Sequence, residues 1–276
     1  MRIRVGLALV ALQATAVACS GAKPDHRFVY DGCAHAHNDY EHTHPLADAL
    51  AADVFCSVEA DIWLVNGTSL QVAHDLAATD PSRTLQSLYL DPLRAIAQSN
   101  AGHVIAGPRP LTLLIDVKSD ATATWPVLES VLENYPELLT RFEGATVTTS
   151  AVTAIVSGER DRAAMEAATV RYAAMDGRLA DLDSNAALTL IPLVSDNWIG
   201  TFTWFGSGPI PSDQKALLDG YVANAHAQGR RLRFYGNPDL RSVWLEEAKS
   251  GVDLLNTDKL SGMKTFLETE TRPSSP

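Results

Sequence analysis

Eight short apolar runs recur along this chain, and helical patterns separate most of them. The runs cover 28–35, 57–65, 111–117, 152–156, 170–174, 188–194, 231–235 and 252–256. Helical patterns fall at 45–53, opened by Pro45, and at 90–98, 125–139 and 162–168. Others fall at 213–228, stopped by Gly229, and at 243–249 and 260–267. The stretch between the fifth and sixth runs is weakly marked. Strands that alternate with helices pair in parallel, and eight of them predict an α/β chain closed into a (β/α)8 barrel of TIM type. One exception breaks the rhythm: Asn66-Gly67 follows the second run and predicts a β-hairpin with 68–73 as its return strand.

The termini bound what the barrel occupies. Arg2 and Arg4 precede an apolar run from Val5 to Val17, and Ala16-Val17-Ala18 leads into Cys19. That is the pattern of a secretory signal peptide, 1–18, on a protein that is secreted or held at the cell envelope. Cys19 after small residues resembles a lipobox, so membrane anchoring through Cys19 and free secretion are both open. A short linker, 19–27, then leads to the barrel, 28–267, and 268–276 reads as a flexible tail.

Cleavage of eighteen residues from 276 leaves 258, a usual length for one such barrel, and moves the formal charge from −11 to −13. A chain this acidic is not expected to bind nucleic acid by its net field, and any lipid must be recognised locally. A monomer is expected. Export would permit a disulfide between Cys33 and Cys56, but strand alternation points Cys33 inward and Cys56 outward, which argues against that bond.

Polar residues gather where the first three strands end. Side chains two apart share a strand face, so His35 and His37 stand together, as do Glu59 and Asp61, and Asp116 and Lys118. In a barrel these pairs converge on the mouth. With Asn66-Gly67 as a two-residue loop, Val65 pairs with Thr68, Asp61 with Val72 and Glu59 with His74. His74 is therefore expected beside the carboxylates.

His37-Asn38-Asp39-Tyr40, Ser57-Val58-Glu59-Ala60-Asp61 and His74-Asp75 resemble the signature of the phospholipase C-like phosphodiesterases. Within that superfamily the pattern is most similar to the branch containing altered inheritance of mitochondria protein 6. Arg231-Arg-Leu-Arg-Phe-Tyr235, Trp244 and the run from Gly251 to Asp258 resemble its last two barrel strands. The resemblance implies a phosphoric diester hydrolase with His37 and His74 as paired acid and base. It also implies Asn38, Glu59, Asp61 and Asp116 as ligands of one divalent cation. Oxygen ligands favour Mg2+ or Ca2+. No His-Arg-Gly opening of the glycerophosphodiesterase kind is present.

The expected substrate is a phosphodiester small molecule or a lipid head group. His35, Lys118, Arg233 and Trp204 are assigned to its side of the site. Lys118 would contact a phosphate oxygen or form an inward ion pair; Trp204, with its aromatic neighbours, would meet a lipid or sugar surface or pack a long loop. One imidazole would take a proton from the attacking water or neighbouring hydroxyl, and the other would protonate the leaving alkoxide. Two rivals stand beside this reading. One is a barrel that binds a lipid or sugar without turnover. The other is an amidohydrolase-type metal site built on His35-Ala36-His37.

Overall fold

The computed structural model describes residues 26–273. The expected signal peptide, Cys19 and residues 20–25 of the linker lie outside the described residues. Eight strands form the barrel: β1 (Cys33–Ala36), β2 (Phe55–Val65), β3 (Leu111–Val117), β4 (Val152–Gly158), β5 (Ala173–Gly177), β6 (Leu193–Asn197), β7 (Arg231–Tyr235) and β8 (Leu254–Thr257). Each pairs in parallel with the next, and β8 closes on β1 through Asn256 opposite His35 and Thr257 opposite Ala36. Among the described residues seven helices of six residues or more ring the barrel: α1 (Ala47–Ala52), α2 (Asp91–Ser99), α3 (Ala121–Leu132), α4 (Arg162–Ala167), α5 (Ser212–Ala227), α6 (Arg241–Ser250) and α7 (Leu260–Glu270), with a single short turn of helix, Trp198–Thr201, after β6. The weakly marked connection between β5 and β6 carries only the 3-10 turn Leu179–Asp183.

Local chemistry explains several boundaries. The side chains of Asp120 and Asp161 accept hydrogen bonds from the N–H groups of Ala123 and Ala164, capping α3 and α4 as they leave the barrel mouth. Gly251 ends α6 with φ +89°, a conformation that costs glycine little.

Four expectations are corrected. The hairpin return strand is Ser69–Val72, with Val65 opposite Ser69 and Ile62 opposite Val72, one residue out of the expected register. Asn66 and Gly67 turn the chain with positive φ, but Thr68 joins the loop. The expected tail is partly ordered, because α7 runs to Glu270 and Thr271–Arg272 pairs in parallel with Phe28–Val29. The fifth run splits: Val170–Arg171 joins a small antiparallel sheet with Arg141–Glu143 and Thr146–Thr148, and β5 begins at Ala173.

The fourth correction is covalent: Cys33 and Cys56 form a disulfide, their Cα atoms 5.8 Å apart. Its cause is a β-bulge. Ala34 stands opposite Phe55 and His35 opposite Ser57, so Cys56 has no partner of its own and departs from strict alternation. Both sulfurs thereby reach the barrel interior, where Cys56 packs with Leu114, Ile155, Ala174, Leu193 and Leu254. These apolar side chains fill the waist of the barrel. Toward the carboxyl ends the interior turns polar, with Glu59, Asp61, Ser157, Asp176, Ser195 and Arg233 all buried.

Candidate active site

Strand register fixes the heart of the site. Asp61 on β2 lies level with Asp116 on β3, and Asp116 lies level with Ser157 on β4. Glu59 sits one inward step below. Oxygens of Glu59, Asp61 and Asp116 all fall within 4.8 Å of one another. Glu59 and Asp116 face a cavity of about 380 Å3 that His37, Asn38, His74 and Arg178 also line, while Asp61 beside them is fully buried. The expected convergence of three strand ends on the mouth is what the fold delivers.

Each carboxylate is held differently. Glu59 accepts from His35 Nε2 at 2.8 Å and pairs with Arg233 Nη2 at 3.1 Å. Burial would raise its pKa, but the Arg233 guanidinium and the His35 hydrogen bond outweigh it, holding Glu59 well below the usual carboxylate range. Asp61 Oδ2 accepts from Tyr40 Oη at 2.9 Å and from Lys118 Nζ at 3.0 Å. Its Oδ1 is buried with no partner. Asp116 Oδ2 is 3.4 Å from the same ammonium. Burial and then the Glu59 charge push Asp116 up to about 6. Opposite, Gly158 has φ +67°, and a Cβ there would stand 2.0 Å from Asp116 Oδ1. Only glycine leaves room for that carboxylate.

The histidines divide by environment. His37 Nδ1 lies 2.7 Å from Asp258 Oδ1. Burial lowers the His37 pKa, while this bond and the Glu59 charge raise it, with a net rise. Nδ1–H donation to Asp258 leaves Nε2 as the free nitrogen. His74 reaches the site although its register slipped: pairing stops at Val72, Ala73 N–H donates to Asp61 O, and the chain then turns. His74 Nδ1 thus stands 3.3 Å from Asp61 Oδ2, rather than opposite Glu59. Asn38, with φ 45°, is at the same rim, its Oδ1 3.2 Å from Tyr40 Oη.

Two residues assigned to substrate, His35 and Trp204, occupy other places, and Arg233 is engaged with Glu59. His35 is fully buried, and burial followed by the Arg233 charge drives its pKa down to about 3. As a neutral imidazole it accepts from Ser57 Oγ at 2.7 Å and donates to Glu59, so it orients a carboxylate instead of meeting a ligand. His35 has both of its ring nitrogens engaged by Ser57 and Glu59, so it does not pair with His37 as the metal ligands of an amidohydrolase would. Arg233 lines the cavity, yet it is 3 % exposed and its ion pair goes to Glu59. Trp204 is buried away from the cavity, its Nε1 donating to Ser207 O and its carbonyl accepting from Trp198 Nε1. It packs the loop after β6 with Trp198 and Phe202. Lys118 makes the inward ion pair.

Several contributors were given no role from the sequence: Asp258 and Tyr40, which stood only as members of quoted motifs, and Gly158 and Arg178. Asp258 had a readable signal. Closure of an eight-stranded barrel sets the end of β8 beside β1, and His37 N–H indeed donates to Thr257 O. Arg178 follows β5, bonds Asp176 Oδ2 at 3.2 Å and stands over the Tyr235 ring.

Comparison with known proteins places this geometry in a family. The chain is 29% identical over 264 residues to the altered inheritance of mitochondria protein 6 homolog of Arthroderma benhamiae, covering 84% of this chain and 82% of that protein. Altered inheritance of mitochondria protein 6 of Eremothecium gossypii is 29% identical over 267 residues, covering 84% and 68%. A glycerophosphodiester phosphodiesterase from Parabacteroides distasonis shares the barrel, with a TM-score of 0.53 over 87% of this chain and 98% of that one. Its sequence is only 12% identical, so the likeness is one of fold. Residues 26–176, which hold β1 to β4, all but the last residue of β5 and all three clustered carboxylates, match the AIM6-like phosphodiesterase domain, and the chain belongs to that family of phosphodiesterases.

Proposed function

We propose that this phosphodiesterase is a metal-dependent phosphoric diester hydrolase that works by two-histidine acid–base catalysis on a small phosphodiester or a lipid head group. The observation that carries the reading is the clustering of Glu59, Asp61 and Asp116 at a cavity that Glu59, Asp116, His37 and His74 line. The donor set fits a hard dication. It is all oxygen, it includes the buried and unpartnered Asp61 Oδ1, and Gly158 keeps the space beside Asp116 clear. Glu59, Asp61, Asp116 and Asn38 would hold it. Bound there, Mg2+ or Ca2+ supplies positive charge for a nonbridging phosphate oxygen.

The chain's own residues supply the rest. Asp258 fixes the His37 tautomer, and Nε2 takes the proton of the attacking water or neighbouring hydroxyl as its oxygen bonds to phosphorus. The bond from phosphorus to the leaving oxygen breaks, and His74 protonates that alkoxide. Lys118 and Arg178 bring cationic charge to the phosphate side of the cavity. His35 and Arg233 keep Glu59 ionised and in place. The Cys33–Cys56 bond fits an exported protein, as does the apolar run before Cys19.

A soluble diester such as bis(p-nitrophenyl) phosphate tests the scheme. His37→Ala and His74→Ala should each lower kcat by about 10²-fold or more. Near-normal turnover by either variant, on every diester in a glycerophospho-, phosphoinositol, lysophospholipid and sphingomyelin panel, removes the two-histidine mechanism.

A further inference from the structure

The barrel has a second cavity, at the end opposite the active site, with a volume of about 920 Å3. It falls near the upper end of the roughly 300–1,000 Å3 usual for ligand pockets. The apolar waist of Leu114, Ile155, Ala174 and Leu193 separates it from the catalytic cavity, and Cys33–Cys56, Leu254 and Phe142 form part of its wall. Val29, Val147 and Leu188 also line it, each nearly half exposed.

Arg231 gives this apolar chamber a charge. It enters from β7 and crosses the lumen to donate through Nη1 to Thr112 Oγ1, at 3.0 Å on the opposite strand β3. Among the described residues it forms no ion pair, whereas Arg233 two positions on is paired with Glu59. The charged lining comprises Arg109, Arg231 and Lys249 against Asp31 and Asp253, with His226 beside Asp253. Asp253 Oδ2 already accepts from Leu232 N–H at 2.8 Å and lies 2.9 Å from His226 Nε2. Lys249 lies 3.9 Å from Glu246, so the charge that crosses the middle of the chamber is that of Arg231 itself.

We propose that this lower chamber binds a single-chain anionic amphiphile, its head on Arg231 and its alkyl chain along the apolar walls toward Leu188 and Val147. An apolar chamber would favour the chain, and a guanidinium deep within it favours a carboxylate or phosphate head. The site is independent of turnover at the other mouth.

The test titrates the purified full-length protein with the fluorescent fatty acid cis-parinaric acid. Palmitate, dodecyl phosphate and hexadecanol serve as competitors. Saturable binding, displaced by palmitate or dodecyl phosphate but not by hexadecanol, is expected, and the better competitor identifies the head group. Arg231→Met should weaken binding about tenfold, the scale of one charge-assisted hydrogen bond, while turnover of bis(p-nitrophenyl) phosphate is unchanged. Leu188→Glu, at a half-exposed position, should weaken it similarly and serves if Arg231→Met does not fold. Absence of saturable binding, equal displacement by hexadecanol, or unchanged affinity in a folded variant overturns the proposal.

Discussion

His37 Nδ1 stands 2.7 Å from Asp258 Oδ1, so the first and last strands of the barrel meet in one imidazole–carboxylate pair. Asp258 is itself placed by Asp239, whose Oδ2 accepts from the Asp258 N–H at 3.2 Å. Replacing Asp258 by Asn keeps the shape but removes the charge that orients the ring. Asp258→Asn should lower kcat on a soluble diester by about 10²-fold with KM little changed. Equal activity would detach Asp258 from the chemistry.

Arg233 and Glu59 are each 3 % exposed and 3.1 Å apart. Removing one partner of a buried pair strands the other charge. Arg233→Met should therefore destabilise the metal-free protein by about 3–5 kcal/mol in urea unfolding. A loss below about 1 kcal/mol would mean that His35 and solvent satisfy Glu59 without the arginine.

Gly158 faces Asp116 at the carboxyl end of β4. Its φ of +67° and the 2.0 Å approach of a notional Cβ to Asp116 Oδ1 predict two effects of Gly158→Ala. Stability should fall by more than about 1 kcal/mol, and Mg2+ or Ca2+ should bind more weakly as the carboxylate is displaced. Calorimetric titration reads the second effect apart from the first.

Glu247 on α6 is fully buried, and Asn237 Nδ2 donates to its Oε2 at 3.1 Å. Burial raises its pKa well above the ordinary value. A carboxyl with a raised folded-state pKa binds a proton that the unfolded chain has already released. Its contribution is full below about pH 4 and is lost as pH rises toward the folded value, with a slope of at most about 1.4 kcal/mol per pH unit. Glu247→Gln should therefore gain stability relative to the parent as pH goes from about 5 to 8. Parallel stability curves for the two proteins would contradict this.

The parts of this structure that were legible in the sequence are those that period-2 alternation governs. Glu59 and Asp61 share a face because they are two apart on one regular strand, and Asp116 joins them because the fold pairs β2 with β3. Where alternation fails, so does the reading. The bulge opposite Ala34 and His35 turned Cys56 inward and made the disulfide that strict phase forbids. One added loop residue, Thr68, shifted the hairpin register, and His74 reached Asp61 only because pairing ends at Val72. His35 and Trp204 were misplaced for another reason. Their roles depend on burial by distant strands and loops, which local pattern does not encode.

In the proposed mechanism the three clustered carboxylates hold a divalent cation that turnover requires. Chelator-stripped protein should be titrated calorimetrically with Mg2+ and with Ca2+, in the parent and in Asp61→Asn, while diester turnover is followed at each addition. The stripped parent should show no turnover, one ion per chain should bind saturably with activity restored in step, and Asp61→Asn should show neither response. Full turnover by the stripped protein, or unaltered ion binding by Asp61→Asn, would overturn the metal-dependent mechanism.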